Sequence, residues 1–138
     1  MTNSLQYLLD SNACIHYITG RSVPLRDKII ATPINSIFVC SVVKAEMFYG
    51  SMKSQNPAKS LAEQQLFLNQ FKSLPFDDDC ALIFGEIRAE LAKKGTPIGA
   101  YDLQIAAIAL ANDLILITHN IGEFGRIGKL KIEDWETP

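Results

Sequence analysis

The stretch Tyr7-Leu8-Leu9-Asp10-Ser11-Asn12 sets the organisation of the chain, because an apolar run ends there on a single carboxylate. A short apolar run bounded by polar residues predicts a buried strand over residues 5–9. Ser11 or Asn12 is predicted to cap the following helix by accepting a backbone N–H bond. Asp10 is therefore expected at the carboxyl end of the first strand, the edge where open α/β sheets bind ligands.

The rest of the chain repeats this alternation of short apolar runs and longer helical segments. Gly50 is interpreted as the end of a helix, because glycine is common just after a helix C-terminus. Strands alternating with helices predict a mainly parallel sheet covered on both faces, an α/β fold. Further strands are predicted at 37–40, around Leu74, at 114–117 and at 130–132, and helices at 13–20, 25–31, 42–49, 57–71, 77–94 and 101–111.

Length and composition indicate one soluble globular domain spanning residues 1–138. The 138 residues are 48% hydrophobic and 20% charged, and no apolar run is long enough to cross a bilayer. Residues 1–6 carry no basic segment, so no signal peptide is expected. Cys14, Cys40 and Cys80 lie far apart among apolar residues, which is typical of reduced core thiols in a cytoplasmic protein.

The net charge of −2 argues against a strongly basic nucleic-acid binder. It does not exclude nucleic-acid chemistry, because a bound divalent cation supplies positive charge locally. Asp77, Asp78 and Asp79 are assigned to the start of a helix, where acidic residues complement the helix dipole.

Four other acidic residues are placed by the predicted elements near one edge of the sheet. Right-handed crossovers put successive helix starts on the same side, so separate segments can deliver them to one crevice. Gathered carboxylates repel one another and favour a bound cation, and oxygen ligands suit Mg²⁺ or Mn²⁺. Each residue alone also has a plainer interpretation as a cap, a helix-dipole partner or a solvated side chain. The four are Asp10, Glu46, Asp102 and Glu123.

The whole chain resembles a PIN-domain protein of the VapC toxin group, from type II toxin–antitoxin modules. No single motif is specific, but together, in order and at their spacings, they cover nearly the full length. The matching segments are Leu8-Leu9-Asp10-Ser11-Asn12, Ala45-Glu46-Met47-Phe48-Tyr49-Gly50, Ile87-Arg88-Ala89-Glu90-Leu91, Gly95 to Asp102, Thr118-His119-Asn120 with Glu123-Phe124, and Leu130 to Trp135.

The resemblance implies a three-layer α/β/α sandwich and an Mg²⁺- or Mn²⁺-dependent endoribonuclease. Its acidic core corresponds to Asp10, Glu46 and Asp102, with Ser11 and Asn12 in support. Either Asn120 or Glu123 takes the fourth position. His119 replaces the first Asn of an Asn-Asn-x-x-Glu-Phe pattern, and Ser11 replaces a common Thr while keeping the hydroxyl. Water activated by one or two cations is expected to leave 5′-phosphate and 3′-hydroxyl ends.

The resemblance also implies partners. Structured RNA, often tRNA, is the expected substrate, and a cognate VapB-type antitoxin is expected to cover the groove and the active site. A homodimer is expected, with Met47 and Phe48 as candidate apolar contacts. Basic residues are needed at the rim to meet phosphates, and the candidates are Arg126, Lys129, Lys131 and Arg88.

Other functions fit less well. A phosphotransfer receiver domain needs a lysine after the last strand, and Thr118 is followed by His119. A phosphatase of the haloacid-dehalogenase type needs a second aspartate where Asn12 stands. The remaining alternative is a PIN-like fold that only binds a partner, and Mg²⁺ binding would separate it from the enzyme.

Overall fold

The computed structural model describes residues 5–138, which form an α/β fold around one five-stranded sheet. Every strand pair is parallel, and the strand order is β3-β2-β1-β4-β5. The predicted parallel sheet is therefore confirmed, with β1 at its centre. The strands are β1 (Tyr7–Leu9), β2 (Ile37–Cys40), β3 (Lys72–Leu74), β4 (Ile115–Ile117) and β5 (Ile132–Glu133).

Seven α-helices and one short 3-10 turn at Ile34–Ser36 connect the strands of the described chain. The alternation predicted from the sequence holds throughout. The helices are α1 (Ser11–Ile18), α2 (Val23–Ala31), α3 (Ser41–Lys53), α4 (Pro57–Leu68), α5 (Asp78–Lys93), α6 (Ala100–Ala111) and α7 (Ile121–Phe124).

The cap of α1 differs from the prediction. Asp10 itself is the N-cap residue, and its Oδ1 accepts a hydrogen bond of 2.8 Å from the backbone N–H of Ala13. Ser11 and Asn12 already lie inside the helix, so neither of them caps it. The exchange has a functional consequence: it fixes one carboxylate oxygen of Asp10 and leaves Ser11 free to bond elsewhere.

Helix α3 is longer than predicted. It continues through Gly50 to Lys53 and ends at Ser54, whose hydroxyl donates to the carbonyl of Ser51. Gly50 does not adopt the left-handed conformation that a glycine C-cap uses, whereas Gly20 and Gly95 do. The added turn buries Ser51, whose hydroxyl bonds Ser60 of α4 at 2.8 Å and joins the two helices.

Helix α6 runs through the core, as its apolar composition predicts. Leu103 and the run from Ile105 to Ala109 are buried. Cys14, Cys40 and Cys80 are buried free thiols, which confirms that they are core residues and not a disulfide. No helix in the described part of the chain is both long and apolar enough to cross a membrane.

The strand register defines the edge at which the candidate site lies. Leu9 pairs with Ile117, and Ile117 pairs with Glu133. The residues that follow these three, Asp10, Thr118 and Asp134, therefore lie at the same level, at the carboxyl edge of the sheet.

Candidate active site at the carboxyl edge of the sheet

Asp10 lies at the centre of this edge and is almost fully buried, with 5% of its surface exposed. Burial is the main cause that raises its pKa from 3.8 to about 6. Hydrogen bonds from the Thr118 hydroxyl and the Ala13 backbone oppose that rise. A carboxylate held in place and short of solvent is poised to accept a cation or a proton.

Asp102 reaches the same edge from the first turn of α6, where it is half-buried. Burial again contributes most to raising its pKa, which lies at about 6. The negative charges of Glu123, Glu46 and Asp10 raise it further. Asp102 therefore experiences the charges of the other three predicted carboxylates, although the four residues come from four separate segments of sequence.

Glu46 is held at the edge by a contact that the sequence analysis did not predict. The hydroxyl of Ser11, in the first turn of α1, donates a hydrogen bond of 2.7 Å to Glu46 Oε1 on α3. The two residues are 35 positions apart, so no local pattern reveals the pair. The bond fixes one oxygen of Glu46 and leaves the other available.

The segment after β4 separates the two candidates for the fourth position. Glu123 on α7 is the nearest acidic influence on Asp102, because its negative charge is the largest neighbouring charge that raises the pKa of Asp102. Asn120 instead occupies the N-cap position of α7, with its backbone N–H bonded to the Thr118 hydroxyl at 2.9 Å. Asn12 lies exposed in the first turn of α1.

The ligand types at this edge fit a hard divalent cation. All four acidic side chains offer carboxylate oxygens, and the mutual repulsion felt by Asp102 is the kind that a cation relieves. Among the described residues, however, no three His, Cys, Asp or Glu side chains already form a group able to hold a metal ion. The carboxylates are electrostatic neighbours and not a finished coordination shell. The pKa values of Asp10 and Asp102 are raised first by burial and only then by neighbouring negative charges.

The four basic candidates lie in different environments. Arg126 donates from Nη1 to the carbonyl of Pro97 at 3.0 Å, in the loop that leads to Asp102. Lys129 is exposed and, with Arg126, lines a cleft of about 240 Å³ against α5. Arg88 lies on α5 with its guanidinium 5.8 Å from the ring centroid of Phe84. Lys131 precedes β5 at the opposite, amino end of the strand. Of the four, only Arg126 is hydrogen-bonded to the loop that leads to a site residue, Asp102.

The C-terminal segment 134–137 lies near Asp10, a placement that the sequence did not predict. Asp134 Oδ2 lies 2.9 Å from His119 Nδ1, and Glu136 Oε1 lies 2.8 Å from His16 Nδ1. The negative charge of Glu136 contributes to raising the pKa of Asp10. Because His16 and Glu136 are 120 residues apart, nothing in the local sequence signals their contact.

The α3 residues proposed as apolar contacts are placed differently from each other. Met47 is 1% exposed and belongs to the core, so it has no area left to bury against a second chain. Phe48 is half-buried. The exposed apolar side chains of α3 are Tyr49 and Met52.

Comparison with known proteins identifies the fold and its relatives. The PIN domain family matches residues 7–130. The chain is 38% identical over 133 residues to the tRNA(fMet)-specific endonuclease VapC of Salmonella typhimurium, covering 95% of this chain and 98% of the relative. It is 35% identical over 131 residues to Ribonuclease VapC2 of Rickettsia felis, covering 94% and 98%. The crystal structure of DNA-bound VapBC from Salmonella typhimurium superposes with a TM-score of 0.89 at 37% identity, covering 95% of this chain and 98% of that one.

Proposed function

The chain belongs to the PIN-domain family, among the VapC ribonucleases, and from that premise we propose that its acidic edge is a metal-dependent endoribonuclease site. The observation that carries the proposal is that Glu46, Glu123 and Asp10 lie close enough to Asp102 for their negative charges to raise its pKa. The parallel sheet supports the proposal, because the carboxyl edge of such a sheet is where α/β folds bind ligands.

In this proposal Asp10, Asp102 and Glu123 hold Mg²⁺ or Mn²⁺ directly, and Glu46 holds it directly or through water. The chemistry is that of hard oxygen ligands. When bound, the cation lowers the pKa of a water molecule and stabilises charge on the attacking and leaving oxygens of the phosphodiester. Ser11 holds Glu46 in place, and the backbone N–H of Ala13 holds Asp10.

A bound cation would also reduce the repulsion between the acidic edge and an RNA phosphate. An RNA phosphate is repelled by four carboxylates, and the whole chain carries a formal charge of −2. Neutralising the edge removes that repulsion, and Arg126 beside the α6 loop then offers a phosphate contact. Structured RNA, with tRNA as the leading candidate, is the proposed substrate, because a 38% identical relative is named a tRNA(fMet)-specific endonuclease.

The proposed partner is a cognate VapB-type antitoxin, as in the VapBC assembly named above. A groove of about 390 Å³ between α1, α3 and α4 starts at Glu46 and offers a seat for it. Ile15 and Ile18 give the groove an apolar lining, and Glu63 adds a second acid. These features suit an antitoxin segment that combines aliphatic and basic side chains.

We also propose a homodimer, for which the exposed Tyr49 and Met52 of α3 are better contact candidates than the buried Met47. Light scattering of the free protein measures it. A monomer at all concentrations would contradict the dimer without touching the nuclease proposal.

Metal binding tests the function against the alternative of a non-catalytic binding module. Titration calorimetry should show Mg²⁺ or Mn²⁺ binding to the wild-type chain and a large loss of affinity in Asp102→Asn. The matched control is Asp113→Asn, an exposed acid just after α6, which should bind as the wild type does. Equal binding by Asp102→Asn and the wild type would contradict the proposed site.

A further inference from the structure

His119 stands at the mouth of the acidic edge with one ring nitrogen engaged and the other side of the ring open. It directly follows Thr118, the residue bonded to Asp10, and directly precedes Asn120 at the start of α7. Its Nδ1 lies 2.9 Å from Asp134 Oδ2, while 62% of its side chain is exposed. A fixed imidazole with most of its side chain in solvent is arranged to meet a ligand.

The Asp134 carboxylate is held by other hydrogen bonds, so it can orient the imidazole ring of His119. Only 9% of the Asp134 side chain is exposed. Its Oδ1 accepts from the backbone N–H of Glu136 at 2.9 Å, and its Oδ2 accepts from the Thr137 hydroxyl at 2.8 Å. With the carboxylate locked by these bonds, Nδ1–H of His119 donates to it and the ring plane is defined.

Resting on the proposed function, we propose that His119 is a substrate-binding residue that donates from Nε2 to an RNA phosphate beside the scissile bond. The edge is otherwise rich in carboxylates, so a donor at its mouth is what an approaching phosphodiester needs. The titratable groups facing His119 are Asp134, Glu136 and Asp10, all acidic, and the Asp134 hydrogen bond chiefly raises the pKa of His119. The ring is therefore charged over a wider pH range than a free imidazole and carries the second N–H that the contact uses.

His16 provides a matched control within the same chain. It too pairs through Nδ1 with a carboxylate of the C-terminal segment, Glu136, at 2.8 Å. Its side chain is only 18% exposed, so it is packed and not presented to a ligand. The two histidines therefore share the structural role of holding the C-terminal segment, and they differ in access to RNA.

The test measures the affinity of a tRNA transcript for cleavage-silent Asp102→Asn protein at pH 6, with and without a second change. His119→Gln should weaken binding about tenfold and lower the slope of log affinity against log salt by about one. His119→Arg, which keeps a donor and a positive charge, should restore both. His16→Gln should lower Tm but leave affinity and slope unchanged.

Equal affinity and slope for His119→Gln and its parent would overturn the inference, and so would an equal loss in His16→Gln, which would assign the effect to the segment's packing. Cleavage by the wild-type protein is measured in parallel. If the wild type cleaves RNA while His119→Gln binds normally, this inference fails and the nuclease stands. If the wild type neither binds nor cleaves RNA, both fall.

Discussion

The Ser11 hydroxyl donates a 2.7 Å hydrogen bond to Glu46 Oε1, and so links the residue that follows Asp10 to helix α3. The bond joins two segments that each carry one of the proposed metal ligands. It therefore sets the separation of Asp10 and Glu46 without itself contacting substrate. Groups that orient metal ligands in this way are commonly worth a factor of about 10 to 100 in metal affinity or activity.

Ser11→Ala should consequently reduce cleavage by about tenfold or more, with metal affinity falling in parallel and Tm changing little. The reason is that Glu46 loses its anchor while the fold keeps its core. Steady-state cleavage and calorimetry measure the two effects. Ser41→Ala, at the exposed first position of α3, is the matched control and should behave as the wild type. Full activity in Ser11→Ala would show that the bond does not position Glu46.

Asp10 has a structural and a functional role, and two substitutions separate them. Asn keeps an oxygen that can cap α1 at Ala13, whereas Ala removes it. Without divalent cation at pH 7.5, Asp10→Asn should be as stable as the wild type or more so, and it should exceed Asp10→Ala by about 1 kcal/mol. Both should lose cleavage. Denaturant unfolding gives the stabilities, and an Asp10→Asn protein that is clearly less stable than the wild type would contradict the cost assigned to its buried charge.

The sign of that cost follows from the pKa of Asp10. Because burial raises the folded-state pKa to about 6 from 3.8, the folded state holds its proton more tightly than the unfolded state does. The free energy of unfolding therefore falls as pH rises from about 4 to 6, by on the order of 3 kcal/mol for this near-fully buried group. Asp10→Asn should lack this contribution, so its advantage over the wild type should vanish at pH 4. A constant difference between the two proteins from pH 4 to 7 would contradict the assignment.

Protons and metal should compete for the same oxygens. Asp10 and Asp102 both have pKa values of about 6, so both must lose a proton before they bind a cation. At subsaturating Mg²⁺, cleavage should rise with pH across about pH 6, and at saturating Mg²⁺ the midpoint should move to lower pH. Initial rates at two metal concentrations measure the shift. A midpoint independent of metal concentration would mean that these carboxyls do not bind the ion.

The proposal that the antitoxin binds the groove beside Glu46 is tested by placing a charged side chain on its apolar lining. Ile15→Arg places a cation on the proposed antitoxin seat, where Ile15 is 36% exposed. Ile30→Arg makes the same change on α2, outside the groove, where Ile30 is 67% exposed. With a co-expressed antitoxin, only Ile15→Arg should weaken complex formation, by about tenfold or more. Equal loss in both variants, or in neither, would place the antitoxin elsewhere.

The order of strands and helices follows from local sequence, because each element is decided by a short pattern of apolar and polar residues. The strand Ile37–Cys40 is observed as predicted, and Asp77 caps α5 through a 3.0 Å bond to Cys80 N. The prediction that α3 ends at Gly50 is wrong, because the helix continues to Lys53. Packing of Ser51 against Ser60 favours a further helical turn there, and that tertiary contact is invisible in the local pattern.

The candidate site was predictable in its residue types but not in its supports. Strand ends and crossovers bring the carboxylates to one edge, which topology alone implies. The Ser11–Glu46 bond and the His16–Glu136 pair join residues 35 and 120 positions apart, so they depend on the finished fold. In the sequence His119 is a departure from a motif beside the predicted site and a candidate substrate contact, but its orientation by Asp134 depends on the finished fold.

The most direct test of the central claim is cleavage of a tRNA transcript by three samples side by side: wild-type protein with Mg²⁺, the same protein with EDTA, and Asp10→Asn with Mg²⁺. Cleavage in the first sample alone, leaving 5′-phosphate and 3′-hydroxyl ends, is the predicted result. Cleavage that persists in EDTA or in Asp10→Asn, or products with 2′,3′-cyclic phosphate ends, would contradict a metal-activated site built on these carboxylates.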